Sequence, residues 1–262
     1  MALPKIIAHR GASGYAPENT LAAFAKAAQL GAKCVEFDCT LTADKEVVIH
    51  HDDSMARTAG VERLVSETPL FAIKALEVGK WFGAEFDGEK LPTFQETISL
   101  LAALGVGANV EVKPAKGQDV ETGKLVAEQI LKHWPKILPP PVVSSFSEEA
   151  LQASIAVIPE VEHALLFEDV PDDWQDRLGA LKATAVHCDQ ENLTHRQCTA
   201  FTNAGYPVRV FTVNDPERAA ELFEWGVESV FTGLSRPFQI RRQYSHLPAG
   251  PPDFSCAKPE RV

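Results

Sequence analysis

Cysteine is sparse in this chain and poorly spaced for cross-linking or for zinc. The five residues, Cys34, Cys39, Cys188, Cys198 and Cys256, form no CxxC pair and are odd in number, which argues against a disulfide framework and a thiolate metal site. Reduced thiols suit a reducing compartment, and a cytoplasmic location is expected. Positive charge is also short: 25 Lys and Arg stand against 36 Asp and Glu, a formal net charge of −11. Such a surface repels nucleic acid and anionic lipid, so neither is an expected partner. Long apolar runs are missing too. Met1-Ala2-Leu3-Pro4-Lys5 leads straight into a strand-like Ile6-Ile7-Ala8, with no room for the charged and apolar regions of a signal peptide. The longest weakly charged stretch, Thr97 to Val110, contains Gly105 and Gly107 and is too short to cross a bilayer. No stable membrane association is expected. The composition leaves the oligomeric state open.

What the sequence does contain is rhythm. Over 262 residues, 45% of them hydrophobic, short β-rich runs alternate with amphipathic helical patterns, as in parallel βα units. Strands are predicted at Lys5–His9, Cys34–Thr40, Val47–His51, Ala108–Lys113, Pro141–Ser145, His163–Phe167, Ala185–Cys188, Val208–Val213 and Ser229–Thr232. Helices are predicted at Thr20–Leu30, Thr93–Leu104, Val120–Trp134, Glu148–Val157, Asp173–Leu181, His195–Ala204 and Pro216–Trp225. Asn19 is the expected cap of the first helix, with Gly31 after its end; Asp215-Pro216 opens the last helix and Gly226 closes it. Roughly eight repeats with short connections favour a (β/α)8 TIM barrel over an open sheet. An open sheet would more typically show GxGxxG after its first strand, where Arg10-Gly11-Ala12-Ser13-Gly14 stands instead. One barrel domain is expected over residues 1–247. Residues 52–91 form an inserted loop region after the third strand-like run, and 248–262 a Pro-rich flexible tail.

Two strands carry acids where a barrel core should be apolar. Side chains alternate along a strand, so Glu36, Asp38 and Thr40 share one face while Val35, Phe37 and Cys39 take the other. Two carboxylates about 6–7 Å apart on one buried face repel each other unless a cation joins them. Asn109, Glu111 and Lys113 repeat the pattern, with Val110 and Val112 facing away. Acids near the C-terminal ends of barrel strands sit where barrel enzymes place their sites. Three carboxylates offer oxygen ligands to one hard cation, Mg²⁺ or Ca²⁺, rather than to zinc, and no HxH pair argues for zinc either. His9 closes the first strand, and His50-His51 end the third. Histidine titrates near neutral pH and can serve as acid or base. Parity sends His50 and His51 to opposite faces without saying which points inward. His187 ends a late strand and could reach the mouth of the site.

The motifs His9-Arg10-Gly11, Ala16-Pro17-Glu18-Asn19-Thr20, Glu36-Phe37-Asp38, His51-Asp52-Asp53 with Arg57-Thr58, and Glu111-Val112-Lys113-Pro114 resemble the glycerophosphodiester phosphodiesterase family. The resemblance continues through Gly79-Lys80-Trp81-Phe82, Ser144-Ser145-Phe146 and Thr212-Val213-Asn214, and is nearest to the short cytoplasmic bacterial branch. It implies a barrel fold, with metal on Glu36, Asp38 and Glu111. It makes His9 and His51 the acid–base pair, choosing His51 over His50, and assigns Arg10 and Lys113 to phosphate. Glu18 and Trp81 are expected at the substrate. The implied substrate is a small-molecule glycerophosphodiester, cleaved to glycerol 3-phosphate and an alcohol. In the implied mechanism the C2 hydroxyl attacks phosphorus and a cyclic phosphate forms. Two rivals accompany this reading: a lysophospholipase D-type activity favoured by an exposed apolar lip at Trp81 and Phe82, and a non-catalytic barrel that binds phosphorylated ligands. The chain departs from the family pattern at Gly233, where an Asp often follows the threonine, and at Ala56, where an acid often precedes the arginine.

Overall fold

Runs rich in β-branched residues form the strands, and the amphipathic stretches between them form helices that lay their apolar stripe against the sheet. The computed structural model describes residues 3–234. In chain order the elements are β1 (Ile6–Ala8), α1 (Leu21–Gln29), β2 (Cys34–Leu41), β3 (Val47–Ile49), α2 (Ala56–Ala59), α3 (Leu70–Ala75), α4 (Phe94–Leu104), β4 (Gly107–Val112), α5 (Asp119–His133), β5 (Val142–Ser145), α6 (Glu148–Val157), β6 (Glu162–Phe167), α7 (Trp174–Leu181), β7 (Ala185–Asp189), α8 (His195–Asn203), β8 (Val208–Phe211), α9 (Pro216–Glu224) and β9 (Ser229–Thr232). Eight strands pair in parallel around a ring, β1-β2-β4-β5-β6-β7-β8-β9, and the β9–β1 pairing closes it. This is the predicted (β/α)8 barrel.

The third strand-like run is the exception. β3 is antiparallel to the upper end of β2, with Cys39 opposite Ile49 and Leu41 opposite Val47, so it lies outside the parallel ring. The two runs are joined by a five-residue connection in which Lys45 takes a left-handed φ of 65°. A parallel crossover needs a dozen or more residues, whereas a hairpin does not. The hairpin turns the chain back toward the barrel rim, so His51 arrives there from above rather than at the C-terminal end of a parallel strand.

Helix ends follow the expected chemistry with one change. Asp215 caps α9 ahead of Pro216, and Gly31 and Gly226 take the left-handed conformation after their helices. The cap of α1, however, is Thr20, whose side chain accepts from Ala23 N, and not Asn19. Between ring and helices lies the main core. Phe24 and Phe37 are fully buried there, with ring centroids 5.8 Å apart and Phe94 6.3 Å beyond; truncating Phe24 to Ala would cost about 3–5 kcal/mol. Residues 52–91 carry α2, α3 and two single-turn 3₁₀ helices, Val65–Glu67 and Ala84–Phe86. They pack on a small core of their own: Val48, Met55, Val65, Ile73, Val78 and Leu91. The expected tail at 248–262, and the boundary at 247, lie outside the described residues. No helix among the described residues is long and apolar enough to cross a membrane.

Candidate active site

Strand register assembles the acids. β2 and β4 pair so that Asp38 lies beside Glu111 and Glu36 beside Asn109, and alternation turns Val35, Phe37, Val110 and Val112 into the core between sheet and helices. One carboxylate oxygen from each of Glu36, Asp38 and Glu111 lies within 4.8 Å of the other two. Burial raises the Glu36 carboxyl well above the ordinary range, with Asp38 and Glu111 adding to it. Burial and Asp38 push Glu111 up to about 8. Burial would raise Asp38 as well, but the charge of Arg10, followed by His51 and Lys113, holds it below the usual value. Glu36 Oε1 is buried without a hydrogen-bond partner. Orphaned, mutually repelling carboxylates of this kind fit a divalent cation, since oxygen donors suit Mg²⁺ or Ca²⁺.

Arg10 and His9 leave the top of β1. Arg10 has a left-handed φ of 52°, followed by Gly11 at 79°, and this double bend aims the Arg10 amide at Glu36 Oε2, 2.7 Å away. Gly11 is required, because a Cβ there would lie 2.7 Å from the Ala23 backbone carbon. The Arg10 guanidinium bonds Glu18 through Nη1 at 2.9 Å and approaches Asp38 through Nε at 3.4 Å. His9 Nε2 lies 3.9 Å from Glu36 Oε2, and its Nδ1 is 3.5 Å from Thr212 Oγ1. Burial, reinforced by the Arg10 charge, lowers its pKa to about 3. His51 Nδ1 lies 2.7 Å from Asp52 Oδ1, and its Nε2 lies 2.8 Å from Lys113 Nζ. A carboxylate only accepts, so Nδ1 holds the proton and Nε2 presents a lone pair. His50 instead points into the insertion, with Nε2 3.1 Å from Ser54 O, and is buried.

These groups share a cavity of about 610 Å³, lined by His9, Arg10, Glu36, His51, Glu111 and Lys113 among others. Its remaining wall includes His187, Phe146 and Phe211. His187 is buried, with Nε2 3.3 Å from Arg209 Nη1.

Residues 9–233 match the model of the glycerophosphoryl diester phosphodiesterase family. The chain belongs to that family. Its chemistry is therefore phosphodiester hydrolysis. A glycerophosphodiester phosphodiesterase of Bacillus subtilis (strain 168) is 30% identical over 260 residues, which cover 91% of this chain and 86% of the relative. One from Bacillus altitudinis is 29% identical over 245 residues, covering 92% and 99%. Among solved structures, an Oleispira antarctica phosphodiesterase in complex with the product sn-glycerol-3-phosphate matches with a TM-score of 0.89 at 38% identity, covering 92% of this chain and 97% of that one.

Within this family member, Glu18 and Trp81 sit at the rim and do not line the cavity. Glu18 bridges Arg10 to Arg57, receiving Nη1 and Nη2 of Arg57 at 2.9 and 2.7 Å. Trp81 is 42% exposed; the Arg57 guanidinium lies 5.5 Å over its ring, and Phe82 packs edge-on beside it. Arg57 also holds Asp52, through Nε at 2.8 Å and Nη2 at 3.1 Å, so a residue without an acid before it finds its acids elsewhere. Where an Asp would follow Thr232, the Gly233 amide donates to Asn214 Oδ1 at 3.0 Å. Two residues were not anticipated at the site. Asn19 takes a φ of 57° and grips Asp38, donating from Nδ2 to Oδ2 at 2.8 Å and accepting from the Asp38 amide at 3.3 Å. Asn109 lines the cavity and donates to Ser144 Oγ at 2.9 Å.

Proposed function

We propose that this phosphodiesterase hydrolyses glycerophosphodiesters to glycerol 3-phosphate and an alcohol, with one divalent cation on Glu36, Asp38 and Glu111 and with His9 and His51 dividing the acid and base roles. The observation that carries this reading is the convergence of three buried carboxylates within 4.8 Å, in a cavity that both histidines line. When bound, Mg²⁺ or Ca²⁺ supplies positive charge against the charge that develops on the phosphoryl oxygens.

The residues of the chain account for the remaining steps. Glu18 occupies Arg10 Nη1, which leaves Nη2 for a phosphate oxygen; Lys113 adds a point charge. Asp52 holds the His51 tautomer, so Nε2 is the atom that exchanges the proton once Lys113 turns toward phosphate. One histidine takes the proton of the substrate's C2 hydroxyl as that oxygen attacks phosphorus. The other protonates the departing alcohol, and water then opens the cyclic phosphate. Intramolecular attack gains a large effective concentration; among the described residues the cavity is lined by no serine or cysteine, and its one side-chain hydroxyl is that of Thr212, 3.5 Å from His9 Nδ1. Glu18 acts at the substrate through Arg10, and Trp81 forms an outer lip beside Arg57. We place the enzyme in the cytoplasm, in keeping with Cys34, Cys39, Cys188 and Cys198, all buried and unpaired.

The test is turnover of glycerophosphocholine, glycerophosphoethanolamine and lysophosphatidylcholine with and without chelator. Cleavage of the first two, abolished by chelator, is expected. Cleavage of lysophosphatidylcholine alone would favour the lysophospholipase D alternative, and no cleavage of any would favour a ligand-binding barrel.

A further inference from the structure

The cavity has two chemically different halves, and only one is used by the proposed hydrolysis. His9, Arg10, Glu36, Glu111 and Lys113 come from β1, β2 and β4 or just after them. Four strands around the ring from β1 and β2 lie β6 and β7, respectively, and Glu168 and Asp189 at their ends also line the cavity. Alternation puts His187 and Asp189 of β7 on one face, Leu166 lies near the end of β6 and Glu168 directly follows it, and all four line the cavity. Glu168 is exposed, and its carboxylate makes no hydrogen bond or ion pair among the described residues. Asp189 commits only Oδ1, which accepts from the Glu191 amide at 2.7 Å.

Aromatic rings complete this half. Phe146 follows β5 and Phe211 ends β8; β6 and β7 stand between them, yet the rings meet edge to face with centroids 5.7 Å apart. They therefore reach toward each other across the mouth. No lysine or arginine lines this half. Arg209 lies beneath His187 but is neutralised by Glu162 and Glu228, at 2.5 and 2.7 Å. Two anionic carboxylates with aromatic rings and no cation attract positive charge, and ring faces suit methylated ammonium in particular.

We propose that Glu168 and Asp189, together with Phe146 and Phe211, form the subsite for the departing alcohol and select alcohols that carry an ammonium or quaternary ammonium group. This rests on the hydrolytic reading above: a phosphodiester held at Arg10 and Lys113 extends its head group toward β6 and β7. Zwitterionic substrates then match the cavity at both ends, with phosphate at the cationic wall and ammonium at the anionic one. A neutral head group gains nothing from the carboxylates, and an anionic one is repelled.

The experiment compares kcat/KM for glycerophosphocholine, glycerophosphoethanolamine and the neutral glycerophosphoglycerol under saturating divalent cation. Wild type should prefer the cationic head groups over the neutral one by about threefold to tenfold, the range of a partly exposed ion pair plus a ring contact. The preference should shrink with added salt, because exposed charges are screened. Glu168→Gln combined with Asp189→Asn should bring the ratio near one, and Glu168→Lys alone, at an exposed position, should reverse the order. Equal kcat/KM for all three substrates in wild type would overturn the subsite while leaving hydrolysis intact. A proportional loss across all three in the variants would also overturn it, since the carboxylates would then be holding glycerol hydroxyls. Failure of wild type to cleave any of the three would instead remove the hydrolytic reading, and this inference with it.

Discussion

Exchanging Asp52 for Asn probes how the His51 imidazole is held. Asp52 serves two donors at once, His51 Nδ1 at 2.7 Å and the Arg57 guanidinium at 2.8 and 3.1 Å. An Asn amide offers one oxygen for both. If that oxygen stays with Arg57, the amide NH₂ faces Nδ1, the imidazole changes tautomer, and a proton on Nε2 meets Lys113 Nζ, 2.8 Å away. If it stays with His51, Arg57 loses its hold on this loop. Losing a hydrogen bond to a charged group costs about 1.5–3 kcal/mol, or about 10- to 150-fold in rate at roughly 1.4 kcal/mol per decade. The same exchange in a buried catalytic triad can cost about 10⁴-fold. Here both side chains are 28% exposed, so water softens the loss, and a fall of about 10- to 100-fold in kcat is expected. Steady-state kinetics on glycerophosphocholine should show this with KM little changed, because in the proposed mechanism the interaction serves proton transfer rather than ground-state binding. Asp52→Asn with kcat within about twofold of wild type, or with the loss confined to KM, would refute the reasoning.

Three further outcomes are expected. His9→Ala and His51→Ala should each lower kcat by about 10²–10⁴-fold, whereas His50→Ala should lower the melting temperature with little effect on rate, since its buried ring bonds Ser54 O. In chelator, stability should fall as pH rises from the ordinary carboxylate range toward 8. Burial and Asp38 raise Glu111 to about 8, so over that window the native state keeps a proton that the unfolded chain has released; Glu111→Gln should flatten the slope of melting temperature against pH. A 2-deoxyglycerol analogue of the substrate should bind yet turn over at a negligible rate, and turnover near the normal rate would show direct attack by water.

Much of the barrel was legible because its signals are local. The helix predicted over Glu148–Val157 and the strand over Ser229–Thr232 are observed with those bounds, since burial period and flanking turn residues agree. The polar face of β2 was equally readable from the order Glu36-Phe37-Asp38. The misplacement of β3 has a physical cause: Val47-Val48-Ile49 is apolar in either direction, and direction is decided by the connection. The short Thr42-Ala43-Asp44-Lys45-Glu46 link, tied by Thr42 Oγ1 to Asp44 and to the Glu46 amide, was the available signal for a hairpin. Asn19 has the sequence signature of a helix cap because Asn is a common cap; Thr20 takes the cap, and Asn19 turns to Asp38, 19 residues away in sequence. Arg57 meets Glu18 across 39 residues, and Glu168 meets the cavity only through barrel closure. Parity alone left His50 and His51 undecided; His51 is the one on the cavity wall.

The most direct test of the account is to strip the protein with chelator, titrate Mg²⁺ or Ca²⁺ back, and follow glycerophosphocholine by phosphorus NMR for wild type and Glu36→Gln. The wild type should be silent in chelator and recover glycerol 3-phosphate formation with added cation. The Glu36→Gln protein should stay folded and inactive throughout. Full activity of Glu36→Gln in excess chelator would contradict the assignment of a catalytic cation to Glu36, Asp38 and Glu111.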